Sequence, residues 1–334
     1  MFLYFLCLIL GLVFILGPRP KVDINLPIRA GRFAATKYAG LSQSEAFQRM
    51  QEELVVQESQ FPTLPIGAEK TIVFADEAQP EKTKYCVLYI HGFSATRQEV
   101  SPVPENVAKH LHANYHATRL TGHGLTGEAL ASATPYDWMF DTLEAWQIAE
   151  QLGEQVVIIS TSTGGTLTSW LAQQEVTVGK LAALFMISPN FGPKHWAMPL
   201  FQMPWSRYWI PLISKGTHGW EPANEASAIY WTYNYPTTII HDMDAFVNAV
   251  CDSSVEHIET PTLFIYSDDD IIVNSRKTDA VARRWGAAIK HRIAFPARPN
   301  DNNHVITGDI VNPGSTKLVQ NEIVSFLERH VVNK

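Results

Sequence analysis

Apolar runs with no polar face constrain this chain most. "YCVLYI" (85–90), "QVVIIS" (155–160), "LAALFMIS" (181–188) and "TLFIYS" (262–267) are apolar almost throughout, so as strands they need cover on both sides. "KTIVFA" (70–75), "YHATRL" (115–120) and "HRIAF" (291–295) read as further strands. Helical patterns stand between most of them, at 104–113, 136–152, 164–174 and 274–285, and another closes the chain at 315–330. This alternation predicts an α/β fold, a mostly parallel sheet flanked by helices, with ligands bound beyond the carboxyl ends of the strands.

Composition fits such a core and excludes other classes. A chain of 334 residues that is 46% hydrophobic can bury a large interior. A formal net charge of −7 without a long charged run offers no footprint for nucleic acid. Cys7, Cys86 and Cys251 lie too far apart for a zinc site and are too few for a disulfide framework. "HLHANYH" (110–116) is rich in histidine, but residues two apart on a helix face different ways, so no metal is expected there.

The N-terminus has another character. Phe2 to Leu16 reads "FLYFLCLILGLVFIL", longer than most signal h-regions and just short of a comfortable membrane span. No Lys or Arg precedes it and no A-x-A site directly follows, so residues 1–17 are expected to form an uncleaved hydrophobic anchor helix. A cleaved signal and a buried helix are the alternatives. Arg19, Lys21, Arg29, Arg32 and Lys37 then stand against Asp23 alone, which favours a cytosolic catalytic part and leaves the other side of the membrane open. Residues 18–68 read as a linker and helical lead-in, with Ser42 and Glu45 as a capping box ahead of Phe47, Met50 and Leu54 on one helical face.

Chemistry-bearing residues cluster where strands end. His91-Gly92-Phe93 follows "YCVLYI", Thr161-Ser162-Thr163-Gly164-Gly165 follows "QVVIIS", Asp268-Asp269-Asp270 follows "TLFIYS", and "NDNNHV" with His304 follows the last strand. The order Ser, Asp, His is one of the known orders of a nucleophile, acid and base.

With "YIHGFSAT", "RLTGHGLT", "ISTSTGGT", and the pair "YSDDDIIV" and "NNHV" in this order, the chain from about Glu69 onward resembles the α/β-hydrolase superfamily. Within it, the resemblance is to the carboxylesterase and monoacylglycerol-lipase-like members. The resemblance implies Ser162 as nucleophile, His304 as base and Asp270 as the acid that orients it, with Asp268 and Asp269 as alternatives for the acid. It also implies the backbone N–H groups of Phe93 and Thr163 as oxyanion donors, structural roles for His91 and His123, and no cofactor. One departure stands at Ser160, where the family's G-x-S-x-G begins with Gly; a small residue is the expectation because the turn crowds that position.

Between Pro189 and about His257 the sheet pattern stops and aromatic residues crowd in. The resemblance makes this stretch, about 190–257 within a hydrolase domain of 69–334, a cap inserted after strand six of the family's fold. Trp205 and Trp209 are the candidate substrate-binding residues of that cap, lining an apolar acyl pocket. The expected activity is hydrolysis of carboxylic esters, including monoacylglycerol-like lipid esters, through an acyl-enzyme. Amide or thioester hydrolysis on the same residues, and a catalytically silent binding protein, are the alternative functions.

Overall fold

The computed structural model describes Tyr4, Gly11 and residues 14–25, 35–38, 40–299 and 301–333. Nine strands occur among these residues: β1 (Thr71–Val73), β2 (Thr83–Ile90), β3 (Asn114–Ala117), β4 (Gly153–Thr161), β5 (Leu181–Ile187), β6 (Thr217–Gly219), β7 (Asn234–Pro236), β8 (Thr262–Tyr266) and β9 (Lys290–Ala294). Seven of them form one sheet in the order β1-β3-β2-β4-β5-β8-β9, parallel except for β1 against β3.

Alternation along each strand sorts the apolar side chains into two cores. Cys86, Leu88, Ile90, Val156, Ile158, Leu184 and Met186 point to one face, where helices Pro135–Leu152, Thr163–Leu171 and Thr238–Cys251 cover them. Tyr85, Val87, Tyr89, Val157, Ile159, Phe185 and Ile187 point to the other, under helices Val103–His110 and Pro313–Leu327. Strands with two buried faces need no polar residues, which is why the central runs read as unbroken apolar sequence.

The lead-in helix Gln43–Glu58 starts at a Ser42 capping box and buries Phe47, Met50 and Leu54 in the first of these cores. Phe47 stacks on Phe74 with ring centroids 5.5 Å apart. At the helix end, Glu58 receives Arg119 Nε at 2.6 Å and Nη2 at 3.0 Å, with both side chains buried. Arg119 Nη1 also donates to His123 O at 3.2 Å, so the lead-in is tied to the "TGHG" loop.

The expected anchor, residues 1–17, lies mostly outside the described residues. Among those described, no helix is long and apolar enough to cross a membrane. The stretch that follows it rests on the body of the protein: Trp205 N donates to Pro18 O at 2.8 Å, Arg19 Nη1 to Gln202 O at 3.1 Å, and Trp170 Nε1 to Ile24 O at 3.0 Å.

Between β5 and β8 the chain leaves the sheet for a segment of helices Met198–Phe201, Ser206–Ile213, Glu225–Tyr230 and Thr238–Cys251 with the β6–β7 hairpin. Both ends of the segment are pinned. At its start, Pro193 bridges Val273 and Asn274 N donates to Gly192 O at 2.9 Å. At its end, Arg284 donates to Cys251 O and Ser253 O, each at 2.6 Å.

Removing one partner of a buried ion pair leaves the other charge without compensation. Glu58→Ala is therefore expected to lower unfolding free energy by about 3–5 kcal/mol, read from urea denaturation. An unchanged midpoint would mean that the lead-in helix contributes little to the fold.

Candidate active site

The position expected for the nucleophile is built by a strained turn. Ser162 stands between β4 and helix Thr163–Leu171 at φ 50° and ψ −122°, a conformation that L residues rarely adopt. Ser162 N donates to Ile187 O at 3.0 Å, while Ser162 O accepts from Gly165 N and Asn190 N, both at 2.9 Å. The glycines after it permit close packing. A Cβ on Gly164 would stand 2.2 Å from Ile90 O, and one on Gly165 would stand 2.7 Å from Pro189 Cβ. Ser160 has no such conflict: it is buried, and its hydroxyl donates to Phe185 O at 3.4 Å.

Three buried side chains from distant parts of the chain meet at this turn. His304 Nε2 stands 3.0 Å from Ser162 Oγ, and His304 Nδ1 stands 2.7 Å from Asp270 Oδ2. Asp270 Oδ1 accepts the N–H groups of Ile272 at 2.8 Å and Val273 at 2.9 Å, which fixes its carboxylate plane. A carboxylate on Nδ1 keeps that nitrogen protonated, so Nε2 offers its lone pair to the serine hydroxyl. Burial works against charging His304, but Asp270, with Glu99 behind it, outweighs burial and raises its pKa. Asp268 points elsewhere and pairs with Arg292 at the surface, and Asp269 N–H donates to Ser267 Oγ at 3.3 Å.

The two N–H groups expected as oxyanion donors belong to Phe93, in the loop after β2, and Thr163, which opens the helix after the serine. Among the described residues, no acceptor takes the N–H of Phe93 or of Thr163. Gly92 holds the Phe93 loop close, since a Cβ there would stand 3.0 Å from Ser162 Cβ. His91 is wholly buried; its Nε2 accepts Leu120 N–H at 3.1 Å, and burial pushes its pKa down to about 4. His123 is likewise buried, with its pKa well below the usual range, its Nδ1 at Thr121 O (3.1 Å) and its ring 5.8 Å from that of Phe93. Both rings are neutral supports of the loops.

Two residues here carried no signal in the sequence. Glu99, buried, accepts Gly92 N–H at 2.7 Å, and Asn190 Nδ2 donates to Thr163 Oγ1 at 3.1 Å. Glu99 ends a short helical turn and Asn190 stands in a loop, each a lone polar residue that only the fold brings near Ser162. The aromatic candidates of the inserted segment sit away from these contacts. Trp205 packs beside Gly17 and the Tyr208 ring, and Trp209 Nε1 donates to Pro204 O at 3.1 Å. The segment reaches the site through other residues: the Tyr235 ring lies 5.3 Å from that of Phe93, and Met243 Sδ lies 3.4 Å from Asn190 Nδ2.

A hydroxyl, an imidazole and a carboxylate in line, with open N–H groups beside the hydroxyl, form an arrangement suited to acyl transfer. A profile of the alpha/beta hydrolase family matches residues 87–308, more than half of the chain. A thermostable monoacylglycerol lipase from Bacillus sp. (strain H-257) is 35% identical over 89 residues, which span 26% of this chain and 34% of that enzyme. Among solved structures, one from a study of the metagenome-derived lipolytic enzymes LipS and LipT superimposes with a TM-score of 0.63 at 19% identity, covering 80% of this chain and 100% of that one. A soluble variant of monoglyceride lipase from Saccharomyces cerevisiae gives 0.58 at 16% identity, covering 79% and 92%.

The turn predicts opposite outcomes for its two small positions. Gly164→Ala forces a Cβ onto a backbone carbonyl and is expected to cost about 3 kcal/mol or more, whereas Ser160→Gly costs about 1 kcal/mol or less. Thermal unfolding of both variants checks this, and a Gly164→Ala protein of wild-type stability would refute the packing argument.

Proposed function

The chain belongs to the alpha/beta hydrolase family, and from that premise we propose that it is a serine hydrolase that cleaves carboxylic esters through an acyl-enzyme intermediate. The line Ser162–His304–Asp270 carries this reading. His304 Nε2 takes the Ser162 proton as Oγ bonds to the substrate carbonyl carbon, and the carbonyl π pair moves onto oxygen between the Phe93 and Thr163 N–H groups. Asp270 stabilises the imidazolium without taking its proton. Collapse restores the carbonyl and breaks the bond to the alkoxide, which His304 protonates. Water, giving a proton to His304, then attacks the acyl carbon, and Ser162 recovers that proton as the carboxylic acid leaves. Every proton and electron pair in these steps belongs to the protein, the ester or water.

Esters with apolar acyl chains, of the monoacylglycerol type named for the similar enzymes, are the proposed substrates. Segment 190–257 acts as a cap in this reading, and its contacts favour Tyr235 and Met243 over Trp205 and Trp209 as the residues that meet the acyl chain. The uncharged run Phe2–Leu16 supports a membrane-associated enzyme that meets such lipids in the bilayer. On that basis the full-length protein is expected to stay with membranes through carbonate extraction, and its release by carbonate would count against the anchor.

A fluorophosphonate probe is expected to label the protein covalently, and Ser162→Ala to abolish both labelling and ester hydrolysis, with kcat lower by about four orders of magnitude or more. Absence of labelling on folded protein would point to a binding protein instead. Across an acyl series, kcat/KM is expected to rise by up to about fourfold per added methylene until the pocket is filled. Met243→Ala should flatten that rise. Acetyl esters as the best substrates, with a profile unaffected by Met243→Ala, would discard the acyl pocket and leave the serine chemistry standing.

A further inference from the structure

Glu99 is a buried carboxyl to which the steps above give no part. It ends the short helical turn Arg97–Glu99, just beyond the "HGFSAT" loop, and is only 2% exposed. Its Oε2 accepts Gly92 N–H at 2.7 Å and Tyr89 Oη at 3.2 Å, and Tyr89 Oη meets Thr161 Oγ1 at 3.1 Å. Its Oε1 lies 2.8 Å from where a Cβ on Gly92 would stand, a point 3.0 Å from Ser162 Cβ. Its backbone packs under the loop that follows His304, since a Cβ on Gly308 would stand 2.7 Å from Glu99 O. One residue thus joins the loop of Phe93 by its side chain, the residue before Ser162 through Tyr89, and the loop after His304 by its backbone.

Those two hydrogen bonds do not require a charge. A buried neutral amide could accept them without the penalty of desolvating a carboxylate. The nearest cation on its own turn, Arg97, is engaged with Glu69 at 3.2 Å. The titratable groups that act on Glu99 are His304 and Tyr89, and those that act on His304 are Asp270 and Glu99. The cation this carboxylate can serve is therefore the imidazolium of His304.

We propose that Glu99 is a positioning residue for the reaction proposed above, holding the Gly92 peptide so that the Phe93 N–H faces the oxyanion and supporting, together with Asp270, the positive charge that His304 acquires. The inference rests on the serine-hydrolase reading. Burial pushes the Glu99 carboxyl up to about 7, with Gly92 N–H and His304 pulling the other way, so the carboxylate is held best while His304 is protonated. That is the state reached as Ser162 attacks.

The sign of the pH effect follows. His304 must be neutral to accept the Ser162 proton, so the rate rises with pH through the pKa of His304, and the Glu99 charge raises that pKa. In Glu99→Gln the acid limb of the fluorophosphonate inactivation rate should therefore move to lower pH, by about half a unit or more, while the plateau falls about tenfold. Glu99→Asp keeps the charge but draws it back from Gly92, so it should keep the limb near its wild-type position and lower only the plateau. This second variant also serves where the first fails to fold, which near-UV circular dichroism and the thermal midpoint reveal. A wild-type limb and plateau in Glu99→Gln, or in Glu99→Asp a loss no larger than the unfolded fraction, would make Glu99 a packing residue and overturn the proposal. Labelling that persists in Ser162→Ala would instead overturn the reading on which it rests.

Discussion

The close approach of helix Thr163–Leu171 to the end of β2 is the contact on which the site depends. Gly164 lies against the carbonyls of Ile90 and His91, leaving no room for a Cβ. That approach makes the chain turn sharply after β4, and the turn puts Ser162 in a backbone conformation that an isolated peptide would avoid. The strain is held by bonds on both sides of the residue, from Ser162 N to Ile187 O and to Ser162 O from Asn190 N. Strands beneath and a helix behind thus fix the Ser162 hydroxyl at the end of β4, with the Gly92–Phe93 loop packed against it.

Loops at the carboxyl ends of strands lack a hydrogen-bond ladder, and here buried charges hold them. Arg119 ties its loop to Glu58, and Lys70 Nζ meets Glu144 Oε2 at 2.5 Å with both side chains buried. Asp141, pushed up to about 6 by burial while Lys70 pulls the other way, accepts Thr121 N–H at 2.5 Å from the same loop. Such pairs contribute little net stability for their desolvation, but they are exacting about geometry. That suits a loop whose His123 must stay neutral and packed against Phe93.

What could be read from the sequence was whatever local pattern dictates. Apolar runs with two buried faces marked the sheet strands, and the capping box at Ser42 marked the lead-in helix. Ser162, Asp270 and His304 could be picked out because each lies in the segment after a strand and falls on a motif of the α/β-hydrolase resemblance. Glu58, Glu99 and Asn190 could not. Glu58 and Asn190 find partners 61 and 27 residues away and Glu99 finds its own across a loop, and a lone Glu or Asn in a polar stretch looks like any solvated residue. The interior of segment 190–257 was legible in composition only: its abundance of rings announced an apolar surface, but which ring faces Phe93 depends on how helix Thr238–Cys251 and the β6–β7 hairpin fold back. Tyr235, one aromatic among many in the sequence, holds that place.

The pinned ends of that segment have a consequence for how such a chain can diverge. Its start is fastened beside Asp270, where Lys194 Nζ also donates to Asp270 O at 2.5 Å, and its end is clasped by Arg284. Sequence drift, insertion or exchange between those two anchorages changes the segment that brings Tyr235 to Phe93 and Met243 to Asn190, yet leaves the Ser162–His304–Asp270 contacts untouched. Segment and sheet can vary separately, so the chain between the two fastenings can be exchanged while the buried contacts among Ser162, His304 and Asp270 persist.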